Sequence, residues 1–184
     1  DGSTLVFMRE VIENGSVVFP IESRALADGT TTRLVTNFSP GDPRSLSADG
    51  SVVAVQVYGA GGSTLQLIRN GTVESGGSLD GASFALSVSD DGTQLASNGF
   101  DASVRDLVVG FDVAVASNCL NSSTQLPSTG SSLSASGGAF AYACYDRPGD
   151  PSDTDHLGDL FVWDRNTGTS VRVTPGDDGL AVQG

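Results

Sequence analysis

The chain lacks lysine altogether and has few residues of the kinds that build most catalytic centres. All nine of its basic residues are arginine, and its 184 residues include one histidine, two cysteines, one methionine and one tryptophan. One histidine and two distant cysteines cannot form a zinc site. No P-loop, dinucleotide-binding glycine pattern or G-x-S-x-G motif is present. These absences argue against zinc-dependent, nucleotide-dependent and serine-nucleophile enzymes.

Long apolar runs and sustained helical periodicity are also missing, so the chain contains neither a candidate membrane span nor a candidate long helix. Twenty-two acidic residues against nine basic ones give a net charge of −13. Such a charge repels nucleic acid and anionic membranes, so we expect neither nucleic-acid binding nor membrane insertion. The aspartate excess indicates either a solvated acidic surface suited to high salt or an extracellular setting, or carboxylates that hold divalent cations.

What the chain does have is a repeated segment of ten residues. The copies read LSADGSVVAV at 46–55, VSDDGTQLAS at 88–97 and LSASGGAFAY at 133–142. In each copy a serine precedes a short turn that contains glycine, and an alternating strand follows. Asp-Gly between alternating apolar runs is typical of a hairpin, because glycine adopts positive φ and aspartate accepts hydrogen bonds from turn amides.

A strand–turn–strand segment follows each copy, as in DLFVWDRNTGTSVRVT at 159–174. In the other repeats, the turn of this segment contains Gly29 in the first and Asn70-Gly71 in the second. Residues 112–127 fit the same frame in the third repeat without a turn glycine. Each repeat therefore predicts four short strands in up-and-down order. Four-stranded sheets at a period of about 40–45 residues are typical of propeller blades. The predicted fold class is an all-β, four-bladed or partial β-propeller of four-stranded antiparallel blades, with repeats at approximately 1–48, 49–90, 91–135 and 136–184.

The two ends of the chain complement each other. Residues 1–7, DGSTLVF, match residues 49–55, so the first repeat begins at its turn and lacks a first strand. The tail resembles that strand, and the candidate assembly residues are Leu180, Ala181, Val182 and Gln183. Because an unpaired strand edge attracts pairing, this strand would complete the first blade of its own molecule or of the next one. The third alternative is that the repeats belong to a longer propeller.

The Ser-Ala-Asp-Gly segment at 47–50, Ser-Asp-Asp-Gly at 89–92 and the segment at 159–174 carry a family resemblance. The chain resembles the TolB-like, WD-repeat-like repeats of bacterial and archaeal β-propellers over nearly its whole length. It departs from their pattern at Ser136-Gly137 and in the third repeat. The resemblance implies a propeller fold and a role as an interaction or scaffolding module of exported proteins.

Cys119 and Cys144 have two interpretations. The chain begins at Asp1 rather than methionine, so it is a processed chain or an excised segment, and the favoured explanation is an exported protein whose signal has been removed. An even number of cysteines in such a chain permits one disulfide. The alternative is a buried free thiol at Cys144, within the strand pattern AFAYAC. The predicted blades place the two cysteines near opposite ends of their strands, which counts against pairing.

The densest group of acidic residues lies in residues 146–159, DRPGDPSDTDHLGD, between the second and third strands of the last repeat. Calcium takes six to eight oxygen ligands and tolerates irregular loops, so Ca²⁺ is the one cofactor we expect. Its candidate ligands are Asp150, Asp153, Asp155 and Asp159. The alternative is a solvated acidic loop, in which His156 is a solvated side chain.

Four asparagines lie in Asn-x-Ser/Thr triplets within predicted turns or loops, which makes them candidate glycosylation sites: Asn14, Asn37, Asn70 and Asn121. Nothing singles out a carboxylate pair for glycoside hydrolysis. Trp163 is expected to pack between blades rather than to bind a sugar.

The sequence therefore favours a non-enzymatic, exported propeller with a structural or protein-interaction role and no catalytic residues. Its specific form would be self-assembly into an extracellular filament or surface layer by exchange of the C-terminal strand, with copies of itself as partners. The predicted location is extracellular or at the cell surface, with the periplasm as the alternative. The alternative function is calcium-dependent binding of a ligand or carbohydrate, and an enzyme is the third hypothesis.

Overall fold

The computed structural model describes residues 3–35, 41–59, 62–78, 85–117, 119, 131–144 and 158–174. These residues form four β-sheets and one separate hairpin, and they contain no helix. Consequently, no described segment is a helix that could cross a membrane. Neighbouring strands are antiparallel in every sheet. The predicted all-β fold class is confirmed.

The first sheet has three described strands, with the order β1-β4-β5. They are β1 (Thr4–Met8), β4 (Ile21–Ala25) and β5 (Thr31–Val35). A short hairpin of β2 (Val11–Glu13) and β3 (Ser16–Val18) is inserted between β1 and β4. The repeat pattern did not predict this hairpin.

The other three sheets each have four strands, and the strand order follows the sequence. Their strands are β6 (Gly41–Leu46), β7 (Val52–Gly59), β8 (Gly62–Arg69) and β9 (Thr72–Ser78); β10 (Ala85–Val88), β11 (Gln94–Asn98), β12 (Ala102–Asp106) and β13 (Phe111–Ala116); and β14 (Ser131–Leu133), β15 (Ala139–Cys144), β16 (Asp159–Asp164) and β17 (Thr169–Arg172). The repeat boundaries predicted near residues 49, 91 and 136 fall between the first and second strands of these sheets. Each predicted repeat is therefore one strand out of phase with its sheet.

One hydrogen bond recurs at the same position in all four sheets. The residue after the second-last strand of each sheet donates its N–H to the carbonyl just before the strand that precedes it in the sheet. The four pairs are Leu26 to Ser3 at 2.8 Å, Asn70 to Ser51 at 3.3 Å, Leu107 to Thr93 at 2.8 Å and Arg165 to Gly138 at 3.0 Å. These bonds fix which residues are equivalent between sheets, and they show that the three-stranded first sheet is a blade like the others.

The sequence prediction for the third blade is wrong. Its last two strands are β12 and β13, joined by a turn at 107–110, rather than a strand pair within 112–127. The turn is built by Asp106, whose Oδ1 accepts the N–H groups of Val108 at 2.9 Å and Val109 at 3.1 Å. Gly110, with φ of 72°, closes it. The turn was missed because its apolar residues resemble a strand, although the aspartate and the glycine four residues later match Asp164 and Gly168 of the last blade.

The sheets stack face to face in chain order. The junctions between consecutive sheets are numbered first to third along the chain, and each has its own core. Ile21 of the first sheet packs with Val53 and Ile68 of the second. Ala54 and Leu67, on the opposite face of the second sheet, belong to the core shared with the third sheet. Apolar side chains therefore cover both faces of the second sheet, as expected for an inner blade.

The junction between the third and fourth sheets is built on aromatic side chains. Phe140, Tyr142, Phe161 and Trp163 are buried against Val104 and its neighbours in the third sheet. Tyr142 stacks between Phe140 and Phe161, with ring centroids 5.3 and 5.5 Å apart. Trp163 lies between two blades, as the sequence predicted.

Candidate interaction surfaces

The Ser-x-Asp-Gly segments form compact turns in which the aspartate is a structural acceptor. Ser47 Oγ donates to Asp49 Oδ1 at 2.7 Å and accepts the N–H of Val52 at 3.0 Å. Asp49 Oδ1 also accepts the N–H of Ser51 at 2.9 Å. These hydrogen bonds, led by the one from Ser47, lower the pKa of Asp49 to about 2. The carboxylate therefore stays ionised at neutral pH.

The same turn recurs in the third blade and, without its charge, in the fourth. Ser89 Oγ donates to Asp91 Oδ1 at 2.7 Å, and this bond is the main cause of the lowered pKa of Asp91. In the fourth blade Ser136 replaces the aspartate, and its Oγ accepts the N–H of Gly138 at 3.3 Å. Ser134 Oγ still accepts the N–H of Ala139 at 2.9 Å. The turn geometry therefore survives the loss of the carboxylate.

These turns also join neighbouring sheets to one another. The N–H of Ala48 donates to the carbonyl of Asp90 at 3.0 Å, and the N–H of Asp90 donates to the carbonyl of Ala135 at 2.9 Å. A Cβ added to Gly92 would lie 2.6 Å from Val52 Cγ2, so the turn needs glycine for close approach as well as for its positive φ. The most visible motif of the sequence is therefore a blade-to-blade connector.

The fourth sheet turns an apolar face away from the third. We call it the distal face, and it consists of Ala139, Ala141, Ala143, Leu160, Val162 and Val171. Cross-strand pairs hold these residues together, including Ala141 with Val162 and Val162 with Val171. Val171 is 63% exposed. The equivalent residues of the second sheet, Ala54 and Leu67, are buried against the third sheet. The distal face thus has the composition of a blade junction.

The first sheet turns a more polar face away from the second. We call it the proximal face, and it consists of Leu5, Phe7, Glu22, Arg24 and Arg33. Glu22 is buried, and its carboxylate lies 2.9 Å from Arg9 Nε and 3.5 Å from Arg33 Nε. The hydrogen bond from Arg9 is the main cause of the lowered pKa of Glu22. Arg33 Nη1 also lies 2.8 Å from Glu13 Oε1, which ties the inserted hairpin to this face.

The described part of the predicted calcium site is already engaged within the protein. Asp159 is buried, its Oδ2 lies 2.7 Å from Arg172 Nη2, and its Oδ1 accepts the hydroxyl of Thr174 at 2.6 Å. Asp150, Asp153, Asp155 and His156 lie outside the described residues. Within the described ranges, no group of three acidic, histidine or cysteine side chains could hold a metal ion. Calcium binding stays a prediction.

Cys119 and Cys144 form a disulfide, with their Cα atoms 4.4 Å apart and both residues fully buried. The expectation that they lie too far apart is wrong. It followed from the error in the third blade, which placed Cys119 inside a strand pair. In the structure Cys119 follows β13, and its N–H donates to the carbonyl of Phe100 at 2.7 Å, which holds it beside the end of β15.

The remaining predicted sites are only partly described. Asn14 and Asn70 are exposed at hairpin turns with φ of 52° and 48°, positions where asparagine before glycine is favoured. Asn37, Asn121 and the tail residues Leu180, Ala181, Val182 and Gln183 lie outside the described residues. Glycosylation and strand exchange stay predictions.

No protein-family model matches the sequence, and no curated protein sequence matches it. Among solved structures, TolB from Acinetobacter baumannii superposes with a TM-score of 0.60 at 18% identity, over 94% of this chain and 41% of that one. A putative TolB from Agrobacterium tumefaciens gives 0.62 at 14% identity, over 94% and 61%. The chain has a TolB-like β-propeller fold. It spans about two fifths and three fifths of the length of these two proteins.

A propeller domain from a third protein superposes on the chain in the same way. The β-propeller domain of the Trilobed protease from Pyrococcus furiosus, whose topology is described as open velcro, gives a TM-score of 0.58 at 13% identity, over 95% of this chain and 55% of that domain. At these identities the likeness shows a propeller module and does not assign a function.

Proposed function

We propose that this TolB-like chain is a non-enzymatic module that binds proteins, and copies of itself in particular. The observation that carries the proposal is the distal face, an apolar sheet face with Val171 63% exposed at the end of the stack. Exposed apolar patches of this kind are typical of protein interaction sites. Three carboxylates of the described residues serve turns or an ion pair: Asp49, Asp91 and Asp159.

The internal junctions indicate what would cover the distal face. At each one, a face equivalent to the distal face packs against a face equivalent to the proximal face of the next sheet. A first sheet is therefore the natural partner of the distal face, whether it comes from the same molecule or from the next. We propose the next molecule, with residues 180–183 pairing beside β1 as β6 pairs beside β7.

A second exposed apolar patch supports protein binding in general. The turn of the third blade presents Val108, Val109 and Phe111, and Val109 is 74% exposed. The patch lies on a hairpin turn rather than on a stacked face, so a different partner would use it. The disulfide supports an exported location, because disulfides persist in oxidising compartments. We therefore propose an extracellular, cell-surface or periplasmic setting.

The assembly proposal predicts extended polymers, observable by light scattering and negative-stain microscopy of the purified chain. Deleting residues 177–184 or introducing Val171→Arg should yield monomers, because each change removes one half of the contact. Val109→Arg is the matched control, since it adds the same charge to a valine that is at least as exposed and lies outside the distal face. Polymers that survive the deletion would contradict strand exchange. A compact wild-type monomer would contradict self-assembly and indicate that the tail closes its own ring.

Calcium dependence is tested in the same samples. If residues 150–155 bind calcium, saturating Ca²⁺ should raise the melting temperature, and Asp153→Asn and Asp155→Asn should weaken that rise. Asp159→Asn is unsuitable as a test, because it would also break the ion pair with Arg172. An unchanged melting temperature at saturating calcium would exclude the calcium-dependent alternative.

A further inference from the structure

A pocket of about 290 Å³ opens between the first and second sheets, beside the Ser-x-Asp-Gly turn of the second sheet. Leu34, Val53 and Ile68 form its apolar walls, and Asp49, Ser51 and Asn70 contribute to its lining beside them. The Leu34 carbonyl oxygen would lie 3.4 Å from a Cβ added to Gly71, so backbone oxygens also reach this edge. The pocket therefore combines apolar walls with oxygen acceptors.

At the next junction an arginine occupies the equivalent place. Arg69 Nη1 lies 3.5 Å from the carbonyl oxygen of Gly92, and its Nη2 donates to the carbonyl of Leu107 at 3.3 Å. Gly92 and Leu107 are the equivalents of Gly50 and Asn70, both of which line the pocket. The repeat itself thus shows what kind of group fits between these turns.

The first junction lacks this arginine because of one residue. Thr4 pairs with Ala25 in the first sheet as Val52 pairs with Arg69 in the second, so Ala25 is the equivalent of Arg69. At the third junction the equivalent of Arg69 is Asp106, and the guanidinium group comes from the opposite sheet, with Arg165 Nη2 3.3 Å from Asp106 Oδ2. Guanidinium groups therefore bridge the second and third junctions from different positions, and at the first junction a pocket lies where Arg69 lies at the second.

We propose that this pocket binds the guanidinium group of an arginine side chain presented by a partner protein. The planar fork of arginine donates to two acceptors at once, as Arg69 shows, and its methylene stem suits the apolar walls. Asp49 stays ionised beside the site, and the net charge of −13 attracts cationic ligands. That the arginine belongs to a protein rests on the proposed function, whereas the guanidinium preference rests on the pocket.

The test is an NMR titration of the full chain with N-acetyl-arginine amide, with N-acetyl-citrulline amide as the neutral isostere and N-acetyl-lysine amide as the point charge. We expect saturable shifts of the Gly50 and Gly71 amides with the arginine compound, weaker shifts with lysine and none with citrulline. Ala25→Arg should fill the pocket from within, as Arg69 does at the next junction, and weaken binding by roughly tenfold or more. Ala25→Gln is the matched control, because it adds a side chain without the charge.

Equal shifts from arginine and citrulline would overturn the guanidinium assignment, as would undiminished binding by Ala25→Arg. Absence of any saturable shift would overturn the site itself. The outcome is independent of the assembly experiment, because a small probe needs no polymer. A monomeric chain that binds the arginine compound would keep this inference while the self-assembly proposal fails.

Discussion

The first and fourth sheets place very different side chains at equivalent positions of the same fold. Phe140 and Tyr142 on β15 correspond to Leu5 and Phe7 on β1, and Trp163 and Phe161 on β16 correspond to Arg24 and Glu22 on β4. The four residues of the fourth sheet are buried against the third sheet. Those of the first sheet lie on the proximal face, where Leu5 is 51% exposed.

The difference teaches that strand pattern and burial are separate properties of a blade. In both sheets the turn before the last strand is closed by the same backbone hydrogen bond, Gly29 to Ala25 and Gly168 to Asp164, and the recurring hydrogen bond is also the same, so this local structure does not depend on a neighbouring sheet. The aromatic core occurs where a neighbouring sheet covers the face. Where the face is the end of the stack, an ion-pair network around Glu22 takes the place of that core. Stability should therefore be concentrated at the third junction.

The largest expected effect comes from truncating one residue of the aromatic core. Phe140 is fully buried, so Phe140→Ala should lower the free energy of unfolding by about 3–5 kcal/mol, through lost burial and a cavity. Leu5→Ala, at the equivalent position of the first sheet, should cost less than about 1 kcal/mol in the monomer, because Leu5 is half exposed. Urea unfolding at a concentration that keeps both variants monomeric measures the contrast.

Assembly sharpens the same comparison. If a neighbouring molecule covers the proximal face, the cost of Leu5→Ala should grow with protein concentration, while that of Phe140→Ala should not. Similar losses for both variants in dilute monomer would contradict the view that the first sheet is an uncovered blade. They would indicate instead that the distal face of the same molecule covers Leu5.

Removing the disulfide should have the next largest effect. Cys119→Ala with Cys144→Ala should cost about 3 kcal/mol, because the bond closes a loop across 25 residues of sequence separation and joins the third and fourth sheets. Hydrogen exchange should quicken first in β15 and β16, with little change in β1 and β4. Reductant should destabilise the wild-type protein and leave the double variant unchanged. Uniform loss of protection over all sheets would contradict an independent third junction.

Much of the fold could be predicted from the sequence because the Ser-x-Asp-Gly turn is local. Its hydrogen bonds span at most five residues, so the residues that make the turn are adjacent in the sequence. The prediction for the third blade failed because the turn of Asp106 contains the apolar residues Val108 and Val109, which the alternation pattern treats as a strand. Because of that one error in register, Cys119 and Cys144 were expected to lie apart, although they form a disulfide.

The candidate sites could not be predicted, because they depend on which residues of different sheets meet. The pocket exists because Ala25 stands where Arg69 stands one blade later, and this equivalence appears only after the strand register is known. Likewise, alternation assigns Val162 and Val171 to one face of the fourth sheet without saying whether another sheet covers it. The inserted hairpin, which Glu13 ties to Arg33 of the proximal face, carries no repeat signal at all.

A smaller effect should appear in the pH dependence of the third junction. Gln94 donates to Asp106, and with the turn amides this lowers the pKa of Asp106 from 3.8 to about 2. A lowered folded-state pKa means that the stabilisation is present above pH 3.8 and is lost as the pH falls towards 2. In Asp106→Asn the midpoint of urea unfolding should depend less steeply on pH over that interval. Asp90→Asn is the control, since Asp90 joins the neighbouring blades through its backbone N–H and carbonyl, which the substitution keeps. An unchanged slope in Asp106→Asn would contradict a role for this carboxylate in acid unfolding.

The smallest expected effect concerns Ser136, the one turn residue of the fourth blade that departs from aspartate. Its turn packs on the third sheet, since a Cβ added to Gly137 would lie 2.6 Å from Gln94 Cγ. Ser136→Asp would supply an ionised acceptor for Ser134 Oγ and the N–H of Gly138, as Asp91 does for Ser89 and Thr93. The gain should stay below about 1 kcal/mol at neutral pH, because the site is exposed. Asp91→Ser is the matched reverse change, so urea midpoints should move in opposite directions in the two variants. A loss in both would mean that the fourth turn has adapted to serine, and that the two turns are not interchangeable despite their shared backbone.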